Sequence, residues 1–233
     1  SLDGDTHMSP GTISAAYIAA GGAVCAVDTV LSGEAKNAFV AVRPPGHHAE
    51  TQVPMGFCLF GNIAIAAKHA LDFHKLSKVV VVDFDVHHGN GTQDLLWNEP
   101  RALTITSHQM PLWPGTGRPE ERGKYDNVLN LPLPPNSDGS YMRSIYQEKV
   151  FPKVRSFSPD LILLSAGFDA HIDDPLAELK WEEDDFVWIT REVCNLATDC
   201  CSSRVVSILE GGYNLDALAA CTKAHIKNLI EAN

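Results

Sequence analysis

The feature that most constrains the fold of this chain is a series of five short apolar runs, each followed by a polar turn and a longer amphipathic segment. The runs lie at positions 38–42, 79–82, 103–106, 161–164 and 205–209. Uninterrupted apolar runs of this length, rich in β-branched residues, are typical of strands that are buried on both faces of a parallel sheet. The segments with helical spacing lie at positions 62–74, 140–157, 182–199 and 215–230. Because strand and helix alternate, we predict an α/β fold, a mostly parallel central sheet flanked by helices in three layers.

The composition indicates one compact domain. Of the 233 residues, 45% are hydrophobic and 20% are charged, which is enough apolar material for a sizeable core. No internal repeat, low-complexity tract or linker divides the chain, so we expect a single domain over residues 1–233. We expect Pro132, Pro134 and Pro135 in an ordered loop, because proline cannot serve a central strand. The formal net charge of −11 argues against a nucleic-acid partner.

Three further patterns bear on the cellular compartment. The apolar stretch at 13–31 is rich in Ala and Gly and contains Asp28, so we expect a packed helix and no membrane partner. The first five residues lack the basic start of a secretory signal. The six cysteines show no CxxC spacing, which predicts reduced thiols. Together these patterns predict a cytoplasmic protein.

Polar, metal-competent or glycine-rich residues follow each predicted strand. These segments lie at 43–48, 83–91, 107–108, 166–169 and 210–213. In open α/β sheets, ligands bind beyond the carboxyl ends of the strands. We therefore expect the five segments to form one site at that edge of the sheet.

A three-ligand metal site is the first element of this prediction. Asp83, Asp85 and His87 are spaced two apart, so on an extended segment their side chains point to the same side. We assign Asp85, His87 and Asp169 as zinc ligands, which leaves a fourth position open for water, as in catalytic zinc sites. The alternative is that Asp85 and His87 merely cap a helix that begins near Gly91.

Other polar residues suit acid–base chemistry beside such a metal. Asp83 would be costly to bury alone, so it would pair with a histidine, join a salt bridge within the sheet or help to bind a monovalent cation with oxygens around Ser107. His47 and His48 suit a general base and a general acid, unless they are two solvated loop histidines. Tyr213 could donate to an oxyanion, although a tyrosine considered alone is more often a packing residue.

These motifs resemble the signature segments of the zinc-dependent histone deacetylase family, most closely its bacterial histone-deacetylase-like amidohydrolases and class II enzymes. The segments are Pro-Pro-Gly-His-His, Asp-Phe-Asp-Val-His-His-Gly-Asn-Gly-Thr, Ser-Ala-Gly-Phe-Asp-Ala and Glu-Gly-Gly-Tyr-Asn-Leu, in this order. The similarity runs from about Asp5 to the C-terminus. It implies the arginase/deacetylase fold and the hydrolysis of an acetamide on an amine, typically acetyl-lysine.

The resemblance implies a role for each matching position. The family's zinc ligands correspond to Asp85, His87 and Asp169. Its tandem catalytic histidines correspond to His47 and His48, and its oxyanion-stabilising tyrosine corresponds to Tyr213. Asp83 matches the carboxylate behind the first histidine and also a potassium ligand, with Ser107 and His108 as its candidate companions. Asn90 stands behind the second histidine, where other branches of the family carry Asp.

The resemblance also implies a substrate channel. Gly56 and Phe57 match the segment that supplies one aromatic wall, and Trp113 takes the place of the opposite wall. Two flat apolar walls would enclose the lysine methylenes, although plain packing is the alternative for both aromatic residues. Leu176 stands where polyamine-selective relatives place a carboxylate. An apolar residue there favours acetyl-lysine over acetylpolyamines.

The family domain normally includes an N-terminal portion that precedes the part matched here. We therefore expect a shortened deacetylase-like domain, or one whose missing part a partner replaces. For the rim Asp that holds the substrate backbone in this family, Asp5 is preferred over Asp3, with a solvated terminus as the alternative.

The function implied by this resemblance is a zinc-dependent amidohydrolase that removes acetyl or other acyl groups from lysine side chains. K⁺ is a candidate structural cation, and hydroxamate-type inhibitors are expected to bind. Two alternatives are an acetylpolyamine or small-amide hydrolase on the same site and a catalytically silent acyl-lysine-binding module. An arginase-like dimanganese site is disfavoured, because the segment 83–87 supplies too few carboxylates for two bridged ions.

Overall fold

A computed structural model describes residues 1–232, and within them six parallel strands form one sheet. In chain order these are β1 (Asn37–Val40), β2 (Val79–Asp83), β3 (Ala102–Gln109), β4 (Val128–Leu133), β5 (Leu161–Ala166) and β6 (Val205–Leu209). Across the sheet the order is β1-β6-β5-β2-β3-β4, and each neighbouring pair is parallel. The predicted α/β class is confirmed, with a sheet that is parallel throughout.

Helices cover both faces of this sheet. They are α1 (Thr12–Leu31), α2 (Asn62–Asp72), α3 (Asn90–Leu96), α4 (Gly139–Ile145), α5 (Phe151–Phe157), α6 (Glu183–Cys201) and α7 (Leu215–Glu231). A π-helical turn, Tyr146–Val150, joins α4 to α5, so the predicted helix at 140–157 is one helical stretch with a wider turn in its middle. The other predicted helices are found within a few residues of their expected ends.

The hydrophobic core is divided by the sheet into two halves. Along β2, Val79 and Val81 contribute to one half, and Val80 and Val82 to the other, because successive side chains of a strand point to opposite faces. Helices α1, α2 and α3 bury apolar residues in the first half, and α4 to α7 bury theirs in the second. The three predicted layers are therefore present. Burial of this apolar surface is the main stabilising term for such a fold.

Strand β4 was not predicted, and it corrects the expectation that Pro132 lies in a loop. Pro132 is within β4, opposite His108 of β3, whereas Pro134 and Pro135 follow the strand as expected. A proline is compatible with this position because β4 is the outermost strand of the sheet. Ser107 and His108, predicted to follow the third strand, lie inside the longer β3.

Helix α1 is the one helix within residues 1–232 whose length and composition alone would allow it to cross a membrane. Core helices of globular proteins pass the same test, and α1 buries an alanine-rich face against α2 and the sheet. The six cysteines are all free thiols, in agreement with their predicted reduced state.

Candidate metal and catalytic site

The predicted site residues gather at the carboxyl edge of the sheet. Asp83 is the last residue of β2, Asp169 lies three residues beyond the end of β5, and Gly211 lies two residues beyond the end of β6. The two central strands, β2 and β5, are neighbours, and Asp83 pairs in register with Ser165. The topology of the sheet therefore places segments that are far apart in sequence around one point.

Asp85, His87 and Asp169 form a buried cluster of metal-binding side chains. Their ligating atoms all lie within 4.8 Å of one another. The Nδ1 atom of His87 is 3.1 Å from Oδ1 of Asp85 and 3.1 Å from Oδ2 of Asp169. Both carboxylates are completely buried. Two carboxylates and one imidazole at this spacing are a donor set that Zn²⁺ binds in proteins.

Backbone amides hold the two carboxylates of this cluster in place. Asp85 Oδ1 accepts a hydrogen bond from the backbone N–H of His87 (2.9 Å), and Asp85 Oδ2 accepts one from Gly211 (2.9 Å). Asp169 Oδ1 accepts one from Val86 at 2.9 Å. Because each carboxylate is fixed through one or both of its oxygens, backbone hydrogen bonds determine where the ligating atoms lie.

The chain after β2 is bent, which corrects the reasoning from an extended segment. The backbone N–H of Asp85 donates to Oδ1 of Asp83 at 3.1 Å, and His87 donates to Asp85 in the same way. Such bonds between a carboxylate and the amide two residues later are typical of Asx turns. The spacing correctly predicted that these residues come together, but a turn brings them there.

The alternative of a helix cap is wrong. Helix α3 begins at Asn90, its N-cap residue is Gly89, and no side chain bonds to the cap. Asp85 and His87 are turned toward Asp169 instead.

Two glycines allow the close packing of this cluster. A Cβ atom on Gly167 would come within 2.0 Å of Asp85 Oδ2, and one on Gly211 within 2.2 Å of Asp169 Oδ2. Any side chain at these positions would displace a carboxylate. This explains, in physical terms, the glycines in the segments that follow β5 and β6.

The electrostatics of the cluster favour a bound cation. Burial, together with repulsion from Asp85, raises the pKa of Asp169 to about 7. Burial disfavours the charged form of His87, but hydrogen bonds to Asp169 and Asp85 outweigh it and raise its pKa to about 10. The two carboxylates therefore attract positive charge into a site that excludes most water.

The tandem histidines lie beside this cluster, with rings 3.9 Å apart. Strand β1 ends at Val40, two residues earlier than predicted, and a loop carries the chain from there to His47. The Nδ1 atom of His47 is 3.0 Å from Oδ2 of Asp83, and its Nε2 is 3.7 Å from Oδ2 of Asp85. Both histidines are buried, so they are not solvated loop residues.

Glu210 positions the first histidine through hydrogen bonds to the backbone, a role that was not predicted from the sequence. Its Oε2 accepts hydrogen bonds from the N–H groups of Gly46 (2.7 Å) and His47 (3.2 Å), and its Oε1 accepts one from Ser165 Oγ (3.0 Å). Burial raises the pKa of Glu210 to about 7. The one feature of the sequence that could have pointed to Glu210 is its place directly before Gly211 and Gly212.

Asn90 fixes the orientation of the second histidine. The Nδ1 atom of His48 is 2.8 Å from Oδ1 of Asn90, whose Nδ2 donates to Oε1 of Glu50 at 2.7 Å. Because Glu50 determines which end of the amide faces His48, Nδ1 of His48 must carry the proton and donate. Its Nε2 is then free to accept a proton. Glu50 had no signal in the sequence.

The two histidines have opposite electrostatic environments. Burial opposes the charge of His47, but attraction by Asp85, Asp83 and Glu210 outweighs it and raises the pKa well above its usual value. Burial lowers the pKa of His48 well below its usual value, and repulsion from His47 acts in the same direction. One imidazole is thus held charged and its neighbour neutral.

A cavity of about 220 Å³ leads from the surface to this site. The residues that line it are Asp5, His48, Gly56, Phe57, His87, Leu112, Trp113, Leu176 and Tyr213. The five residues predicted to bind substrate are all among them, whereas Leu112 was not predicted. The ring of Trp113 lies 4.7 Å from His48, and that of Phe57 lies 6.1 Å from Tyr213, so two aromatic residues form the walls.

Residues 1–229 match the family model described as the histone deacetylase domain. The chain belongs to the histone deacetylase family. It is 40% identical over 235 residues to histone deacetylase 14, chloroplastic, of Arabidopsis thaliana, covering 97% of this chain and 56% of the relative. It is also 40% identical to the histone deacetylase-like amidohydrolase of Pseudomonas aeruginosa, covering 98% of this chain and 61% of the relative. The chain therefore spans little more than half the length of these curated relatives.

The fold of a solved histone deacetylase domain matches this one. A crystal structure of the HDA15 HD domain superposes with a TM-score of 0.93 and 36% sequence identity, over 99% of this chain and 66% of that chain. The arginase/deacetylase fold that the motifs implied is confirmed, and so is the family.

Within this histone deacetylase domain, Tyr213 lines the cavity beside Phe57 and His87. Its ring centroid is 6.3 Å from that of His87. Its backbone N–H donates to Oδ2 of Asp174 at 2.8 Å, which fixes the loop after β6. Asp174 was not predicted to take part in the site. Burial and repulsion from Asp169 raise the pKa of the Tyr213 phenol, so it stays protonated and can donate.

The candidate potassium residues of the histone deacetylase domain lie on β2 and β3. Ser107 Oγ is 3.5 Å from the carbonyl oxygen of Asp83 and 2.8 Å from the hydroxyl of Tyr146. The imidazole of His108 is turned away, with Nε2 at 3.0 Å from the carbonyl oxygen of Gly117. A cation here would use oxygens of Asp83 and Ser107 and no side-chain atom of His108. The potassium site stays a prediction.

Proposed function

We propose that this chain is a zinc-dependent amidohydrolase that removes acetyl groups from the lysine side-chain amines of proteins or peptides. One observation carries the proposal: Asp85, His87 and Asp169 converge at the end of a cavity with aromatic walls, beside a pair of histidines with opposite charge states. Membership of the histone deacetylase family supports deacetylase chemistry of this kind.

The three clustered side chains fit Zn²⁺ in number, chemistry and spacing. Three protein ligands are the number found in catalytic zinc sites, and His87 lines the cavity, so the site is open on one side. A zinc ion bound by Asp85, His87 and Asp169 would act as a Lewis acid toward a carbonyl oxygen and lower the pKa of water.

His48 is the residue best placed to take a proton from the attacking water. It lines the cavity, its pKa is lowered, and its Nε2 is unprotonated because Nδ1 donates to Asn90. A neutral imidazole whose accepting nitrogen faces the substrate is what a general base requires.

His47 would hold positive charge behind His48 throughout the reaction. Its Nδ1 donates to Asp83, a buried carboxylate outside the proposed zinc ligands, and this contact favours the protonated ring. This charge lowers the proton affinity of His48, so that an imidazolium formed there can return its proton to the departing amine. His47 therefore assists electrostatically, and His48 exchanges the proton.

Tyr213 would stabilise the negative charge that develops on the carbonyl oxygen. Its phenol is held protonated on the cavity side of His87. A donor that is in place before the reaction lowers the barrier most effectively, because it needs no reorganisation.

The cavity fits the side chain of an acylated lysine. Phe57 and Trp113 offer flat apolar surfaces to the methylenes, and Leu176 at the mouth presents no charge. Asp5 also lines the cavity, where its carboxylate can accept hydrogen bonds from a peptide backbone. The absence of a carboxylate at position 176 disfavours the alternative of an acetylpolyamine substrate.

The test compares Tyr213→Phe with the wild type on an acetyl-lysine peptide. Loss of an oxyanion donor is expected to lower kcat by roughly 10²–10³-fold. Zinc content measured by elemental analysis should not change. Tyr141→Phe serves as the matched control, because Tyr141 is an exposed tyrosine of α4 outside the cavity. Full turnover by Tyr213→Phe would refute the oxyanion role, and zinc-loaded wild type that hydrolyses no acyl-lysine would favour a silent binding module.

A further inference from the structure

A second cluster of metal-binding side chains lies at the C-terminal ends of helices α1 and α2, and none of its three residues lines the cavity. Asp28 belongs to the last turn of α1, His69 to the last turn of α2, and His74 lies two residues beyond the end of α2. None of the three has a part in the proposed reaction. Along the chain, His69 and His74 lie 41 and 46 positions after Asp28.

The geometry of this cluster is convergent. Oδ1 of Asp28 lies 2.6 Å from Nε2 of His69 and 2.6 Å from Nε2 of His74. The ligating atoms of the three side chains are all within 4.8 Å of one another. The Asp28 side chain is 48% exposed, and those of His69 and His74 are 19% and 24% exposed. Dissolved ions therefore reach the cluster directly.

The two imidazoles are fixed by their surroundings. The ring of His69 stacks on that of Phe73 at a centroid distance of 4.9 Å and an angle of 12°. Phe73 also makes an edge contact with the ring of His74 at 5.1 Å. The backbone N–H groups of Phe73 and His74 both donate to the carbonyl oxygen of His69, which closes the end of the helix. Little side-chain entropy remains to be lost when a ligand binds.

We propose that Asp28, His69 and His74 form a second metal site, which binds a divalent transition-metal ion such as Zn²⁺. Imidazole and carboxylate are the donors that Zn²⁺ prefers after thiolate, and two histidines with one carboxylate are a common three-ligand set. Water would complete the coordination, because the cluster is exposed on one side.

The bound ion would connect the end of α1 to the end of α2. A ligand that binds the folded chain and not the unfolded one stabilises the fold by mass action. At a hundredfold excess of zinc over Kd, the resulting rise in Tm is about 5–10 °C for a domain of this size. In the absence of metal the three side chains form a partly exposed hydrogen-bonded cluster, which contributes little to stability.

The experiment measures how many equivalents of zinc the whole chain retains after dialysis. The wild type is expected to retain one equivalent more than the double variant His69→Ala/His74→Ala, and the extra rise in Tm with zinc should be lost in the variant. The deep cluster of Asp85, His87 and Asp169 is present in both proteins, so the difference does not depend on whether that cluster binds zinc.

Two controls test other sources of surface binding. His7→Ala removes an exposed histidine elsewhere, and Cys25→Ser removes an exposed thiol one turn before Asp28 on α1. Both variants are expected to retain as much zinc as the wild type. If either variant retained less zinc than the wild type, the residue that it lacks would be a zinc ligand, and the assignment to Asp28, His69 and His74 would be overturned.

A measurement on the unmodified chain covers the case in which the double variant does not fold. Diethyl pyrocarbonate modifies accessible imidazoles, and the rate at His69 and His74 can be followed by mass spectrometry of peptides. Zinc is expected to slow modification at both residues at least tenfold and to leave His7 unchanged. Equal rates with and without zinc, or equal zinc contents in the wild type and a folded double variant, would refute the site.

Discussion

The Nδ1 atom of His47 lies 3.0 Å from the Oδ2 atom of Asp83, and both side chains are buried. Asp83 uses its other oxygen to accept the backbone N–H of Asp85 at 3.1 Å. The same carboxylate thus supports both the proposed charge on the first histidine and the turn that carries the first metal-binding residue.

Substitution Asp83→Asn tests this support. An amide keeps the shape and an accepting oxygen but removes the negative charge, so the pKa of His47 should fall and the ring should lose its proton. Loss of such an outer partner typically costs roughly 10–100-fold in activity or metal affinity. We expect kcat on an acetyl-lysine peptide to fall within that range. Asp199→Asn, at an exposed position of α6, is the control, and an unchanged kcat for Asp83→Asn would contradict the proposed role of His47.

Substitution Asn90→Asp is expected to shift the pH dependence of the reaction. A carboxylate 2.8 Å from Nδ1 of His48 stabilises the protonated imidazole, so the pKa of His48 should rise from its lowered value. A general base works only when it is neutral. The acidic limb of the kcat/KM profile should therefore move to higher pH, by about one unit or more. A profile that coincides with that of the wild type would argue that His48 is not the base.

Substitution Leu176→Glu tests substrate choice. Leu176 is 49% exposed at the cavity mouth, where a carboxylate could attract a second amine. An exposed ion pair contributes up to about 1 kcal/mol, so the ratio of kcat/KM for an N-acetylated diamine over an acetyl-lysine peptide should rise roughly two- to fivefold. Leu176→Gln has a similar shape without the charge and should leave the ratio unchanged. An equal rise in both variants would mean that polarity, not charge, is responsible.

Glu99 links folding stability to pH. Its carboxylate accepts hydrogen bonds from Arg101 Nε and from Lys68 Nζ, each at 2.7 Å. The pKa of Glu99 is lowered from 4.5 to about 2, mainly by the hydrogen bonds from Arg101. Burial raises this pKa, and the hydrogen bond from Lys68 lowers it further. Since the unfolded chain has the ordinary pKa, the stabilisation is complete above pH 4.5 and declines as the pH falls toward 2.

The variant Glu99→Gln measures this contribution by urea unfolding. We expect a loss of about 1 kcal/mol in the free energy of unfolding at pH 6, because Lys68 and Arg101 are partly exposed and water screens them. The difference from the wild type should shrink steadily between pH 4.5 and pH 3. Glu148→Gln, at an exposed position, should show no such trend. A difference that is independent of pH would show that the charge of Glu99 is not its source.

Much of the fold and of the deep cluster could be predicted because both follow from the sheet. The valine run of β2 and the leucine run of β5 predict buried strands, and a parallel sheet brings the ends of such strands to one edge. The structure shows that these two strands are neighbours. Asp85 and Asp169 then meet although 84 residues separate them along the sequence. The family motifs supplied the rest of the assignment, including the walls of the cavity.

Other features could not be predicted because no local pattern reports them. Pro132 hides the strand character of β4, since its effect depends on whether the strand is central or outermost. Glu50 acts through a hydrogen bond from the Asn90 amide, and Glu210 acts through hydrogen bonds from two backbone N–H groups and a serine hydroxyl. Such contacts have no characteristic spacing in a sequence. Asp28 comes close to His69 only after α1 and α2 have packed together.

Pro132 also has a consequence for the behaviour of the molecule in a crowded solution. Because proline has no N–H, it removes one amide donor from β4, an edge strand of the parallel sheet, and so weakens any pairing of β4 with a strand from another molecule. Pro132 therefore makes strand β4 hard to predict from the sequence and also reduces the tendency of the sheet to pair edge to edge with another molecule.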